Sequence, residues 1–250
     1  MIRLQHITKV FNRDQVNEVV ALKEVDLHIK QGEFVCLIGA NGSGKTTLLN
    51  IISGSILPSQ GKVLLHNEEV TDLPEHKRSQ WIARVFQNPL GGTAPDLSIL
   101  DNFRLAALRT SKKRLRIGIT EAFKASVREK IAILGLGLEN KLQQPMGTLS
   151  GGQRQALTLL MSTMDHTDIL LLDEPTAALD PHSAEVVMQT AERIIKEYNL
   201  TTVLITHDLE DALRYGNRLI QMKNGQVARD LDATAKDSLA LKEVFEWFSA

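Results

Sequence analysis

The sequence predicts an α/β fold: a mainly parallel sheet with a helical lobe inserted into it. Three observations carry the expectation. Phe34–Ile38, residues 169–172 and residues 202–206 are short, nearly continuous apolar runs, the composition of strands buried on both faces. Residues 99–142 show helical periodicity with few strand signals. Strand–helix alternation stands on either side of that block, which reads as a sheet domain interrupted by helices. A chain of 250 residues has room for one such domain and its insert.

The elements follow in order. Residues 2–11 roughly alternate apolar and polar side chains, the pattern of a half-buried strand. Residues 12–18 are polar and suit a hairpin loop. Residues 19–29 resume the alternation, with Leu22, Val25, Leu27 and Ile29 on one face, and Gln31-Gly32 then turns the chain. After the buried strand Phe34–Ile38, residues 46–53 read as a helix ending at Gly54. Residues 62–66 and 82–87 are further short strands. Beyond the helical block come the strands 169–172 and 202–206, with an amphipathic helix at 184–198 between them. A terminal helix over 238–248 is expected to pack through Leu241, Val244, Phe245 and Phe248. The expected organisation is one domain over 1–250, with 1–88 and 155–235 as core, 89–154 as helical subdomain and 236–250 as C-terminal helix.

Composition narrows the class. The chain is 43% hydrophobic and 24% charged, ordinary for a soluble globular protein. Its 29 basic and 30 acidic residues leave a net charge of -1, which gives no support to a nucleic-acid binder. The one cysteine, Cys36, excludes an intrachain disulfide and a multi-cysteine metal site, and its apolar neighbours mark it as core. No apolar run approaches the ~18 residues of a membrane span. Residues 1–11 lack a signal-peptide core. The expectation is a cytosolic chain that reaches a membrane only through a partner.

Gly39-Ala40-Asn41-Gly42-Ser43-Gly44-Lys45-Thr46 fits the phosphate-loop pattern G-x-x-x-x-G-K-[ST] and lies between a buried strand and a helix, the context that pattern needs. Its glycines let the backbone curl with N–H groups inward, and the helix start adds positive dipole. Lys45 suits the β- and γ-phosphates, the Thr46 hydroxyl suits Mg²⁺, and Thr47 continues the turn. The apolar strand 169–172 ends in Asp173-Glu174. A buried strand stops before charge, so both acids stand at its carboxyl end. Asp173 suits Mg²⁺, and Glu174 suits orienting or deprotonating an attacking water.

Leu149-Ser150-Gly151-Gly152-Gln153 follows the helical block. Taken with the two preceding motifs, it resembles the signature of ABC-type ATPases, and the resemblance extends along essentially the whole chain. Other family marks fall in order: Phe11 early, Gln87 at a strand end, Ala178-Leu179-Asp180 after the acidic pair, and His207 in Ile205-Thr206-His207-Asp208. The resemblance implies a P-loop NTPase (RecA-like) core with an N-terminal antiparallel β segment and an inserted helical signature subdomain. It implies ATP and Mg²⁺ as cofactors, and two copies paired head to tail around two ATP molecules. In that scheme Phe11 stacks on adenine, while Gly39, Asn41, Gly42, Ser43, Gly44, Lys45, Thr46 and Thr47 hold the phosphates. Ser150, Gly151, Gly152 and Gln153 of the other copy close over the γ-phosphate. Glu174 is the general base, and His207 holds phosphate and water in register. Gln87 senses Mg²⁺ and water, Thr46 and Asp173 complete the metal site, and Asp180 bridges the copies.

The family drives transporters but also remodels DNA and ribosomes. Coiled-coil arms, zinc cysteines, a second cassette and a fused membrane span are all missing from this sequence. That pattern is most similar to the separate ATPase subunit of a bacterial importer, on the cytoplasmic face of the inner membrane. Its partners there are permease subunits and, indirectly, an extracytoplasmic solute-binding protein, with no nucleic acid. The alternatives are the ATPase of an export or lipoprotein-release machine, or a soluble non-transport ATPase. The stretches 88–98 and 155–163 depart from the common pattern. They resemble an importer subset linked in part to tryptophan- or tyrosine-type uptake. Arg104, Arg109, Lys112, Lys113, Arg114 and Arg116 form a basic run. It reads first as a solvated face and second as an attraction for anionic lipid or an acidic permease loop.

Overall fold

The structure, a computed structural model, describes residues 1–110 and 118–249. In chain order the elements are β1 (Ile2–Phe11), β2 (Val19–Ile29), β3 (Phe34–Ile38), α1 (Lys45–Ser53), β4 (Gln60–Leu65), β5 (Glu68–Glu69), α2 (Glu75–Arg78) and β6 (Ile82–Val85). There follow α3 (Ile99–Ala106), α4 (Glu121–Ala132), two 3-10 turns, α5 (Gly151–Ser162), β7 (Ile169–Asp173), α6 (Pro181–Tyr198) and β8 (Thr201–Ile205). The chain closes with α7 (Leu209–Arg214), β9 (Arg218–Lys223), β10 (Gln226–Leu231), α8 (Ala233–Asp237) and α9 (Leu241–Ser249). They form two compact units, Met1–Arg78 with Leu200–Ala250, and Ser79–Asn199.

The first unit holds two sheets. In one, β2, β1, β4 and β5 lie side by side, with every neighbouring pair antiparallel. In the other, β3 runs parallel to β8 on one side and to β9 on the other, and β10 pairs antiparallel with β9. Flanked on both edges, β3 is buried along all five residues, which explains why Phe34–Ile38 is apolar throughout rather than alternating. Cys36 lies there as core, and burial pushes its thiol up to about 12. Helix α1 leaves the end of β3 through residues 39–44 and stops at Gly54, whose left-handed φ of 83° completes the C-cap. The far end of α1 is held by Arg78, a fully buried residue. Its guanidinium donates to the carbonyls of Ile51, Ile52, Leu73 and Thr71. Burial lowers its pKa to about 10.

The second unit pairs β6 and β7 in parallel, from Ile82 with Ile169 to Val85 with Leu172. Helix α6 begins three residues before the expected 184, because Asp180 caps it and Pro181 starts it. The helical block is less continuous than its periodicity suggested: α3 and α4 are short, and 3-10 turns occupy Leu138–Asn140 and Met146–Thr148.

Two expectations need correction. Of the four side chains expected to pack α9, Val244 is the buried one, while Phe245 and Phe248 are 56% and 40% exposed. Of the basic run, residues 112–116 lie outside the described residues, and the two arginines that are described turn toward the protein. Arg104 stacks over Phe123, and Arg109 donates to His166 O and Thr167 Oγ1. Each finds partners that a solvated face does not offer.

Candidate functional site

The phosphate loop is shaped by backbone conformation. Gly39, Gly42 and Gly44 have φ of 153°, 78° and 102°. At Gly39 there is also no room, since a Cβ would lie 2.4 Å from Met222 O. The buried Lys45 donates from Nζ to Gly39 O at 2.8 Å and Ala40 O at 3.2 Å, so the ammonium is folded back over the loop. Ser43 Oγ is buried with no hydrogen-bond partner among the described residues. A buried hydroxyl without a partner is costly, and an anion in the loop would supply one. The N-terminus of α1, with Thr46 exposed in its first turn and Thr47 half-buried beside it, adds orphan N–H groups to the same place. The residues present therefore fit a phosphate.

His207 follows β8 and shares a cleft of about 680 Å³ with Gly39, Ala40 and Asn41 of the loop. The far wall is built from Phe245 and Phe248 of α9. Phe11, at the end of β1, is half-exposed, and the Lys9 ammonium stands 5.1 Å from its ring centroid. It pairs with Val19 at the start of β2. Two residues on, Ala21 O approaches the loop so closely that a Cβ on Gly44 would meet it at 2.6 Å. The first unit thus gathers Phe11, residues 39–47 and His207 around one end of its sheets.

The second unit assembles the acids. Gln87 lies just past β6, and its Nε2 donates to Glu174 Oε2 at 3.1 Å, joining two residues that the sequence placed far apart. Its amide carbonyl is then the atom suited to a cation. Glu174 has φ of 49°, unfavourable for a residue with a Cβ and a form of strain that collects at functional sites. Asp173, at the end of β7, accepts from Arg84 on β6 through an Nη2–Oδ2 contact of 2.6 Å. Both side chains are only 10% exposed.

The signature residues have local duties. Ser150 caps α5: its Oγ accepts from Gln153 N at 3.3 Å while Gln153 Oε1 accepts from Ser150 N at 3.2 Å, a reciprocal capping box. Gly152 is required by packing, because a Cβ there would fall 2.4 Å from Ser183 Cβ on α6. Gly151 is tight against Leu179. Asp180 caps α6 by accepting from Ser183 N, and its hydrogen bonds to Ser183 hold the carboxyl below its usual range. Ser150 itself stays exposed at the N-terminus of α5, with Gly151 half-buried behind it.

Three residues beyond the sequence expectations complete this unit. Arg84 neutralises Asp173. Arg154 wraps the signature turn by donating to the carbonyls of Met146, Gly147 and Leu149. The fully buried Gln155 donates to Phe86 O and Pro175 O, tying the chain before Gln87 and the chain after Glu174 to α5. A signal existed for Arg84, since a charge inside a buried strand must find an opposite charge. Gln155 stood at a departure from the common family pattern, but nothing in the sequence named its two carbonyl partners.

Each unit by itself carries oxygen donors suited to a divalent cation, the Thr46 hydroxyl in the first and the Gln87 amide and Asp173 carboxylate in the second. A hydroxyl, an amide carbonyl and a carboxylate are oxygen donors of the kind Mg²⁺ takes when most of its shell is phosphate and water. The donor chemistry fits that ion.

Residues 22–177 match the family model described as ABC transporter. The tyrosine transport ATP-binding protein of Clostridioides difficile is 38% identical over 99% of this chain and 98% of its own length. The uncharacterized ABC transporter ATP-binding protein MJ0796 of Methanocaldococcus jannaschii is 32% identical over 92% of this chain and 96% of its own. A solved dimeric, post-hydrolysis state of that cassette, bound to ADP and Pi, superposes with a TM-score of 0.80 over 93% of this chain. No described helix is long and apolar enough to cross a membrane. With the phosphate loop, the acidic strand end and the capped signature helix in the family's order, the chain belongs to the ABC transporter family as an ATP-hydrolysing, ATP-binding subunit.

Proposed function

We propose that this subunit powers an importer of amino acids or related small molecules. It works as a head-to-tail dimer bound to separate permease subunits at the cytoplasmic face of the membrane, with an extracytoplasmic binding protein delivering the solute. The full-length similarity to a tyrosine transport subunit supports this choice of solute class. The residue roles rest on chemistry. Lys45 and the inward N–H groups of residues 39–46 bind the ATP phosphates, and Phe11 stacks on adenine. Thr46, Asp173 and Gln87 hold Mg²⁺, which when bound neutralises phosphate charge. Glu174, kept in place by Gln87, accepts the proton of the attacking water, and His207 orients that water against the γ-phosphate. Ser150 and the N-terminus of α5 meet the γ-phosphate held by the other copy. These are neutral donors, so closure relaxes once the phosphate is lost. Asp180 lies where the copies meet.

The observation that carries the catalytic part is the Gln87–Glu174 hydrogen bond at 3.1 Å on a strained Glu174 backbone. Glu174→Gln keeps the shape and loses the basicity. ATP should still bind, hydrolysis should fall by at least about a hundredfold, and ATP with Mg²⁺ should trap a dimer on a sizing column. Hydrolysis at the parent rate would remove Glu174 from the role of base.

A further inference from the structure

The phosphate loop is braced from outside by the turn that joins β9 and β10. Strands β9 and β10 are joined by Asn224-Gly225, between the paired residues Lys223 and Gln226. Both turn residues have positive φ, 53° and 80°, the two-residue hairpin turn that matches strand twist. From this turn Gly225 N donates to Ser43 O at 3.1 Å, and Gly225 O accepts from Lys23 N at 2.9 Å. Gly225 therefore bonds in one direction to the phosphate loop and in the other to β2, the strand whose start pairs with Phe11. There is no space for a side chain at the junction: a Cβ on Gly225 would lie 2.8 Å from Ala21 O.

The consequence comes from peptide geometry. In a planar trans peptide the C=O and the following N–H point in opposite directions. Holding the Ser43 carbonyl outward directs the Gly44 N–H inward, toward the space a phosphate would fill. We propose that Gly225 is a positioning residue for ATP binding. Its N–H sets the Ser43–Gly44 peptide so that the cradle is formed before nucleotide arrives, and its carbonyl ties that cradle to the strand pair bearing Phe11. This rests on the phosphate-binding reading of residues 39–46.

Gly225→Ala tests it, because the new Cβ would meet the β2 backbone at Ala21 and Leu22, so the turn must shift and carry the Gly225 N–H with it. The Kd and KM for ATP should rise about tenfold, roughly the loss of one well-placed hydrogen bond and its alignment, with kcat within about twofold. Val227→Ala on β10 serves as the control: it should lower the melting temperature and leave ATP affinity alone. A folded Gly225→Ala protein with parental ATP affinity overturns the proposal, and so does an equal loss of affinity in Val227→Ala. Should Gly225→Ala not fold, residue-resolved amide exchange on the unaltered protein decides. ATP should slow exchange at Gly225 by at least about tenfold relative to Val227, and an unchanged ratio overturns the proposal. Lys45→Ala separates the two readings. Undiminished ATP affinity there defeats the phosphate-loop assignment itself, whereas a loss there without one in Gly225→Ala defeats only the brace.

Discussion

Arg84→Met tests whether the acid at the end of β7 depends on a counter-charge from its neighbouring strand. Methionine approximates the length of the arginine stem and removes the charge. In the parent, Arg84 Nη2 and Asp173 Oδ2 are 2.6 Å apart, with each side chain only 10% exposed, so solvent screens the pair little. Removing one partner of a buried pair leaves the other charge uncompensated and costs about 3–5 kcal/mol. The guanidinium also lies 4.7 Å from the Phe86 ring centroid, a contact worth about 0.5–2 kcal/mol that is lost as well. Desolvating Arg84 offsets part of this, so the expected net loss stays near 3–5 kcal/mol. For a chain of this size that lowers the melting temperature by roughly 6–20 °C. Thermal melts of the parent, Arg84→Met, Asp173→Asn and the double variant measure it, and the cycle should return a coupling of about 1–3 kcal/mol. Mg²⁺ with ATP should narrow the gap between Arg84→Met and parent if Asp173 then serves the cation. A melting temperature for Arg84→Met within about 2 °C of the parent, with no coupling in the cycle, would refute the reasoning.

The other predictions concern the nucleotide. Lys45→Ala removes the buried ammonium that now rests on Gly39 O and Ala40 O. ATP affinity, followed with a fluorescent analogue, should fall about tenfold to a hundredfold, the value of a charge-assisted bond to phosphate. Unchanged affinity would show that the backbone cradle suffices. If Ser150 acts on the other copy's nucleotide, a mixture of Lys45→Ala and Ser150→Arg chains, each inactive alone, should regain ATPase activity in dimers that retain one intact site. In a Cys36→Ser background, Asn41→Cys and Ser150→Cys, both at exposed positions, should crosslink between chains when ATP is present. Exclusively within-chain crosslinks would rule out the head-to-tail arrangement.

Local chemistry made the motifs and most elements legible in the sequence. Residues 39–46 declare a phosphate loop because lysine, hydroxyl and glycines must stand at fixed offsets on one turn. Phe34–Ile38 declares a central strand because a run without polar residues has no solvated face. Asp180 and Pro181 open α6 by rules that operate within one turn of helix, whereas periodicity alone began that helix three residues late. Contacts between distant segments were not legible, because strand register and helix packing set them. The register of β6 against β7 puts Arg84 beside Leu171, two residues before Asp173. Packing of α5 on α6 makes Gly152 a steric necessity as well as a signature residue. Phe245 and Phe248 have the spacing of a packing face, yet of the four side chains expected to pack it is Val244 that is fully buried, since periodicity marks which side chains share a face and not which face meets the core. The brace from Gly225 to Ser43 involves only backbone atoms, and those are the same for every sequence. Only the fold could bring that N–H to that carbonyl.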